Sequence, residues 1–160
     1  MVQPVPRAGS GVAADEAAQA AAIRRHEERL ARDPSSLAFA PLADAYRKLG
    51  RTQEAIRLCR EGIERFPHYT TARLILAKAL LDEGQVDEAS AALEAIVAMG
   101  GRDAEAHRML GELHRKAGRL EPALGHLEQA ARLDPGDRES RLAASIEHVV
   151  QLPEVGVDQF

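Results

Sequence analysis

Six histidines and one cysteine carry most of the chemistry open to this chain of 160 residues. His26, His68, His107, His114, His126 and His148 supply imidazole nitrogens. A metal site needs such ligands one helical turn apart, or converging from two helices. His107 and His114 stand seven residues apart, two turns along one helix, too far to hold one ion between them. A structural place is expected for them, with no metal and no cofactor. Cys59 would serve as a nucleophile only beside a group that lowers its pKa, and no histidine stands near it in sequence. It reads as a small buried hydrophobe. The acid pairs Asp87–Glu88 and Glu27–Glu28 fall on helix surfaces as solvated charge. No Gly-rich phosphate loop, nucleophile elbow or zinc-binding helix signature occurs. The chain reads as no enzyme.

Composition narrows the partners. Charged residues make up 29% and the hydrophobic set 45%, the balance of a folded chain. Aromatics are 3% with no Trp, so Leu, Ile, Val and Ala must build the core. The net charge of −4 is spread among interspersed Arg, Lys, Asp and Glu, without the clustered basic face that phosphate binding needs. Nucleic acid is therefore not an expected partner. One cysteine leaves no internal disulfide and fits a reducing compartment. The start lacks the continuous apolar run of a secretory signal, and no stretch approaches membrane-spanning length. A cytoplasmic location without membrane insertion is expected. Arg outnumbers Lys 18 to 3, which hints at a GC-rich genome.

The elements follow from punctuation and period. Residues 1–12, rich in Pro, Gly and small side chains, read as a flexible lead, and an Ala- and Glu-rich helix follows over 13–33. Its stripe is Ala20, Ile23, Glu27 and Leu30, apolar but for one acid. Pro34 stops it, and Ser35 or Ser36 can cap the next helix. Then Gly50, Gly84 and Gly118 recur 34 residues apart, each followed five residues on by Ala55, Ala89 or Ala123.

Framed from Ser36, Thr70 and Ala104, this period holds at many positions. The seventh carries Leu42, Leu76 and Leu110; the eighth carries Ala43, Ala77 and Gly111; the eleventh carries Tyr46, Leu80 and His114. The twenty-fourth carries Cys59, Leu93 and Leu127, the twenty-seventh Gly62, Ile96 and Ala130, and breakers close each unit at Pro67, Gly101 and Pro135. The pattern resembles the tetratricopeptide repeat, a helix–turn–helix unit of this length. The aromatic usual at the fourth position survives only as Phe39, with Arg73 and His107 in the next two units.

The resemblance implies an all-α fold, a right-handed α-solenoid of antiparallel helix pairs. Repeats would span 36–69, 70–103 and 104–137, in one domain over 13–151. Small residues at the eighth and twentieth positions would let the two helices of a pair approach. The fifteenth-position glycine would end the first of them in a left-handed conformation. Pro122 is tolerated because it falls in a first turn. Hairpins must stack to bury their apolar faces, and the ends need covering. The N-terminal helix would cover one end. A helix over 138–151, with Leu142, Ile146, Val149 and Val150 at helical spacing, would cap the other. The tail 152–160, with Val155, Val157 and Phe160 alternating after Pro153, is too short for another unit.

In that family, peptides usually contact the second, fifth, ninth, twelfth and thirteenth positions of the first helices. Carried over residue by residue, these are Leu37, Ala40, Asp44, Arg47 and Lys48 in the first unit. The second gives Thr71, Leu74, Lys78, Leu81 and Asp82, and the third Glu105, Arg108, Glu112, Arg115 and Lys116. Members that grip a carboxylate tail do so with asparagines and basic residues at the fifth and ninth positions. The asparagines are absent here, and Arg108 is the one basic residue at a fifth position, so chaperone-tail binding is not expected. Asp44, Lys78 and Glu112 alternate in sign, as solvated charge that can pair across neighbouring helices, or as part of a groove reading a mixed-charge, partly apolar segment. The expected function is a scaffold or adaptor that binds another protein or peptide segment through this groove. Two further readings are a structural part self-associating through its capping helices, and a regulatory or assembly subunit of a larger bacterial complex.

Overall fold

The structure, a computed structural model, describes residues 10–150, the side chains of Ser10 and of 147–150 excepted. Eight α-helices follow one another among the described residues, with no strand. They are α1 (Ser10–Arg32), α2 (Phe39–Lys48), α3 (Thr52–Arg65), α4 (Thr70–Asp82), α5 (Val86–Ala98), α6 (Ala104–Lys116), α7 (Leu120–Leu133) and α8 (Arg138–Val150). The chain is all-α, and it divides between Gln85 and Val86 into two compact units.

Glycine closes four of these helices in the same way. Gly50, Gly84, Gly100 and Gly118 have φ between 71° and 77°, a region that other L-residues enter only at a cost. At Gly50 the amide donates to the Arg47 carbonyl (3.0 Å) and the next amide, Arg51, donates to Tyr46 (2.9 Å). That is the paired closure that satisfies the last carbonyls of a helix. Gly84 and Gly118 repeat it with Leu81 and Arg115, as their 34-residue spacing implies. Gly100 does the same at the end of α5, a position the period did not single out, and the expected breaker Gly101 supplies the second amide, donating to the Ile96 carbonyl (3.2 Å).

In the first unit α2 packs on α3, α3 on α4, and α1 lies against α2. Its core is Ile23 of α1, Phe39, Leu42 and Ala43 of α2, Ala55, Ile56 and Cys59 of α3, and Ile75, Leu76, Ala77 and Leu80 of α4. Phe39, the one surviving fourth-position aromatic, stacks on Phe66 (5.8 Å between centroids) and meets Tyr69 edge-on (5.9 Å). Gly62 leaves room for that ring: a Cβ there would overlap Phe39. Neither Ser35 nor Ser36 caps α2, which starts only at Phe39. Asp33 takes the Ser35 amide (3.1 Å), and the Ser36 hydroxyl accepts from Ala38 (3.2 Å), so both serines are spent in the preceding turn. The acid that interrupts the α1 stripe has a use, since the Tyr46 hydroxyl donates to Glu27 (2.7 Å).

In the second unit α5 packs on α6, α6 on α7, and α7 on α8. Leu93, Ile96, Leu110 and Leu127 are fully buried, each contributing roughly 1.5–3 kcal/mol of burial free energy. Close approach of α6 and α7 depends on small residues: a Cβ on Gly111 would stand 2.6 Å from Leu127 Cγ and 3.3 Å from the Ala123 carbonyl. Pro122 sits in the first turn of α7. Asp103 caps α6 by accepting from Ala106 (3.0 Å). Asp137 caps α8, accepting from the amides of Glu139 (3.1 Å) and Ser140 (3.3 Å) and from the Ser140 hydroxyl (2.5 Å).

The ends of the chain differ from expectation in two respects. α1 begins at Ser10 rather than about Ala13, taking Ser10, Gly11 and Val12 into its first turn ahead of the Ala-rich run; residues 1–9 lie outside the described residues. Leu142 and Ile146, expected in the seam of the C-terminal helix, are 63% and 54% exposed. α8 meets α7 through small residues instead, with Ser140 buried at 1% in the third-position place that Ala38, Ala72 and Ala106 hold before it. The side chains of Val149 and Val150, and the tail 152–160, fall outside the described residues.

Candidate partner-binding surfaces

On the first unit the expected contact positions form a charged patch across α2 and α4. Asp44 accepts from Arg47 Nε (3.0 Å) and Lys48 Nζ (2.9 Å) on its own helix. Arg47 also reaches Asp82 on α4 (3.2 Å). Burial alone would raise the Asp44 carboxyl, but the hydrogen bonds from Lys48 and Arg47 outweigh it and hold that pKa below its ordinary value. Burial would likewise lower Arg47, and the bonds to Asp82 and Asp44 outweigh that, so its charge is fixed more firmly. Residues Ala18, Gln19, Ala22 and His26 of α1 border Asp44 and Lys48 across a shallow cleft.

The apolar positions of this unit are uneven. Leu37 is 44% exposed, Thr71 is exposed, and Leu74, Lys78 and Leu81 are half-buried. Ala40 is a correction: it is fully buried and has no surface to offer a ligand. A methyl group at the fifth position is too short to emerge past its neighbours, so it packs inward.

On the second unit a cleft of about 530 Å³ opens between α6 and α8. Arg108, Glu112 and Arg115 line it from α6, and Glu139, Ser140, Leu142, Ala143 and Ile146 from α8, with Leu127 at its base. Arg115 donates to Glu112 (2.7 Å), and Arg108 lies 3.7 Å from Glu105 and 3.9 Å from Asp137. All are partly exposed, so each pair is worth about 0–1 kcal/mol and can be exchanged for a ligand's charges. The expected residues Arg108, Glu112 and Arg115 are thus brought together here. Glu105 and Lys116 are not among the cleft residues, although Glu105 borders a neighbouring recess with Arg108 and Asp137.

Leu142 and Ile146 are the residues that the sequence reading did not assign to this surface. Adding one period to Arg108 and Glu112 lands on them, at the fifth and ninth positions of a further first helix. Their apolar character made them look like a packing seam, which hid that signal.

The remaining reactive groups are internal to the packing. Cys59 is fully buried, and burial, with Asp44 nearby, pushes its thiol up to about 12. His107 and His126 approach Nδ1 to Nδ1 at 3.0 Å, and His114 stacks on His126. No group of three or more metal-ligating side chains that could hold an ion occurs among the described residues.

Comparison with known proteins agrees with the fold. The tetratricopeptide repeat profiles match residues 46–113 and 104–137, together more than half of the chain. The chain belongs to the tetratricopeptide repeat family. No curated protein matches it in sequence. Among solved structures it resembles MamA from Desulfovibrio magneticus RS-1, at 22% identity and TM-score 0.68, covering 88% of this chain and 80% of that one. It also resembles YrrB, described as having an unusual peptide-binding site, at 17% identity and TM-score 0.69, covering 76% of this chain and 63% of that one. The first tetratricopeptide domain of Spaghetti (RPAP3), bound to the HSP90 peptide SRMEEVD, matches at 20% identity and TM-score 0.65, covering 71% and 90%. At such identities the likeness is one of fold. No described helix is long and apolar enough to cross a membrane.

Proposed function

We propose that the chain is a non-enzymatic adaptor that holds a segment of another protein in the cleft between α6 and α8. The observation that carries this reading is the lining of that cleft. Arg108, Arg115, Glu112 and Glu139 put both signs of charge around exposed Leu142 and Ile146. Such a surface suits a mixed-charge segment with two apolar anchors about a helical turn apart. Charges at the rim set register and suppress wrong partners, while the apolar pair supplies most of the affinity. Binding of peptides by structurally similar proteins supports a protein partner over a small molecule. The charged patch of Asp44, Arg47, Lys48 and Asp82 serves as a second contact surface on the first unit. The work is placed in the cytoplasm, in keeping with one buried cysteine that needs no disulfide partner.

Arg108→Glu tests the reading with little structural cost, because its ion pairs are long and exposed. Peptides selected from a random library on the intact chain should bind this variant at least about tenfold more weakly, a difference of roughly 1.4 kcal/mol, with the melting point unchanged. Equal binding by parent and variant removes the cleft from consideration.

Exposure of Leu142 and Ile146 also favours a second reading, self-association through α8. Sedimentation over a range of concentrations separates the two. A monomer throughout eliminates self-association, and a dimer abolished by Leu142→Asp establishes it.

A further inference from the structure

Three imidazoles that the partner-binding reading does not use meet where α6 crosses α7. His107 takes the fourth position of its repeat, where Phe39 forms an aromatic stack in the first unit, and His114 takes the eleventh. His126 enters from α7 between them. Its Nδ1 stands 3.0 Å from His107 Nδ1, with ring centroids 5.3 Å apart, and its ring is stacked on His114 at 5.5 Å and 6°. His114 is 9% exposed, and its Nδ1 is buried without a hydrogen-bond partner. Two converging nitrogens do not make a structural metal site, and no third ligand joins them among the described residues. What they do make is a contact whose existence depends on protons.

We propose that the His107–His126 pair, covered by the His114 ring, forms a proton-sensitive latch holding α6 against α7, so that mild acid loosens the second unit before the first. With both rings neutral, one Nδ1 donates to the other, which accepts. One added proton is tolerated, since a protonated ring still donates to a neutral one. A second proton puts two N–H donors and two like charges head to head at 3.0 Å, with no acceptor between them. The stacked His114 ring screens His126 from water, so that charge is poorly solvated.

The surrounding charges do not cancel this effect. From α5, Glu94 favours a proton on His126; from the start of α6, Asp103 favours one on His107; among the described residues α7 and α8 contribute no counter-charge. Burial outweighs both acids, and His107 and His114 further oppose a proton on His126, so His107 and His126 lie below the ordinary imidazole value. The sign follows by linkage. The unfolded chain takes up both protons at about pH 6.5 while the folded unit resists, so the latch is whole above that pH and weakens as pH falls below it. Because α6 is one wall of the cleft, acid would also loosen a bound segment, but the latch stands whether or not the cleft binds anything.

Amide hydrogen exchange on the intact chain, between about pH 7.5 and 5.5 and corrected for intrinsic exchange rates, reads the two units separately. Protection in α6 and α7 should fall severalfold relative to α2 and α3 as pH drops. His126→Gln, which keeps a hydrogen-bonding group without the titration, should abolish that difference, and His107→Phe should reduce it. NMR titration of the imidazoles in the unaltered protein needs no variant. His107 and His126 should titrate below the ordinary imidazole value. Parallel loss of protection in both units, an unchanged response in both variants, or titration of His107 and His126 at or above the ordinary imidazole value overturns the latch.

Discussion

Gly62 and Cys59 show how single positions hold the first unit together. The space above Gly62 is filled by the Phe39 ring, itself clamped between Phe66 and Tyr69. Gly62→Ala gains about 1 kcal/mol of helix propensity. It loses more to the overlap, for a net destabilisation of about 1–2 kcal/mol in urea titration. Phe39→Leu in the same chain should make the Gly62→Ala penalty smaller, because the two act on one space. Cys59 makes a prediction about pH. With its thiol pushed to about 12 by burial, it stays protonated across the neutral range. A thiol reagent at about pH 8 should modify the native chain only as fast as it unfolds. Rapid modification without unfolding contradicts the burial.

Helix ends and helix contacts explain which elements can be read from sequence. Because only glycine adopts φ near +70° cheaply, Gly50, Gly84 and Gly118 mark three helix ends by residue type alone. Gly50→Ala should cost about 1 kcal/mol, read as a lowered melting temperature. Small residues at the eighth and twentieth positions were equally legible, since Ala43, Ala55, Ala77, Ala89 and Ala123 are all fully buried. What escaped was anything decided by which neighbour happens to cover a face. The family resemblance implies a contact role for Ala40, yet it is covered. Leu142 and Ile146 look like a seam, yet α8 turns its small residues inward and leaves them exposed. His107 and His114 read as packing positions, and both rings do pack on His126. Their meeting was hidden because His126 comes from a different helix than His107 and His114. The Tyr46–Glu27 bond across α1 and α2 was invisible for the same reason. Tyr46→Phe should cost about 0.5–1 kcal/mol and speed amide exchange in α1 more than in α3.

For the molecule as a whole, regular backbone closure supplies two compact units, and irregular side chains supply the means to recognise a partner. Nothing in the repeat frame requires Arg108, Glu112, Leu142 or Ile146 to be what they are, so their types are free to serve binding. The most direct measurement is NMR shift mapping of library-selected peptides on the intact chain, alongside the double variant Leu142→Asp, Ile146→Asp. The account predicts that shifts cluster on α6 and α8 around Arg108, Glu112, Leu142 and Ile146. It also predicts that the double variant, still folded with its melting point little changed, loses binding by at least about a hundredfold, or roughly 2.7 kcal/mol. Shifts centred on other helices, or undiminished binding by the double variant, would contradict it.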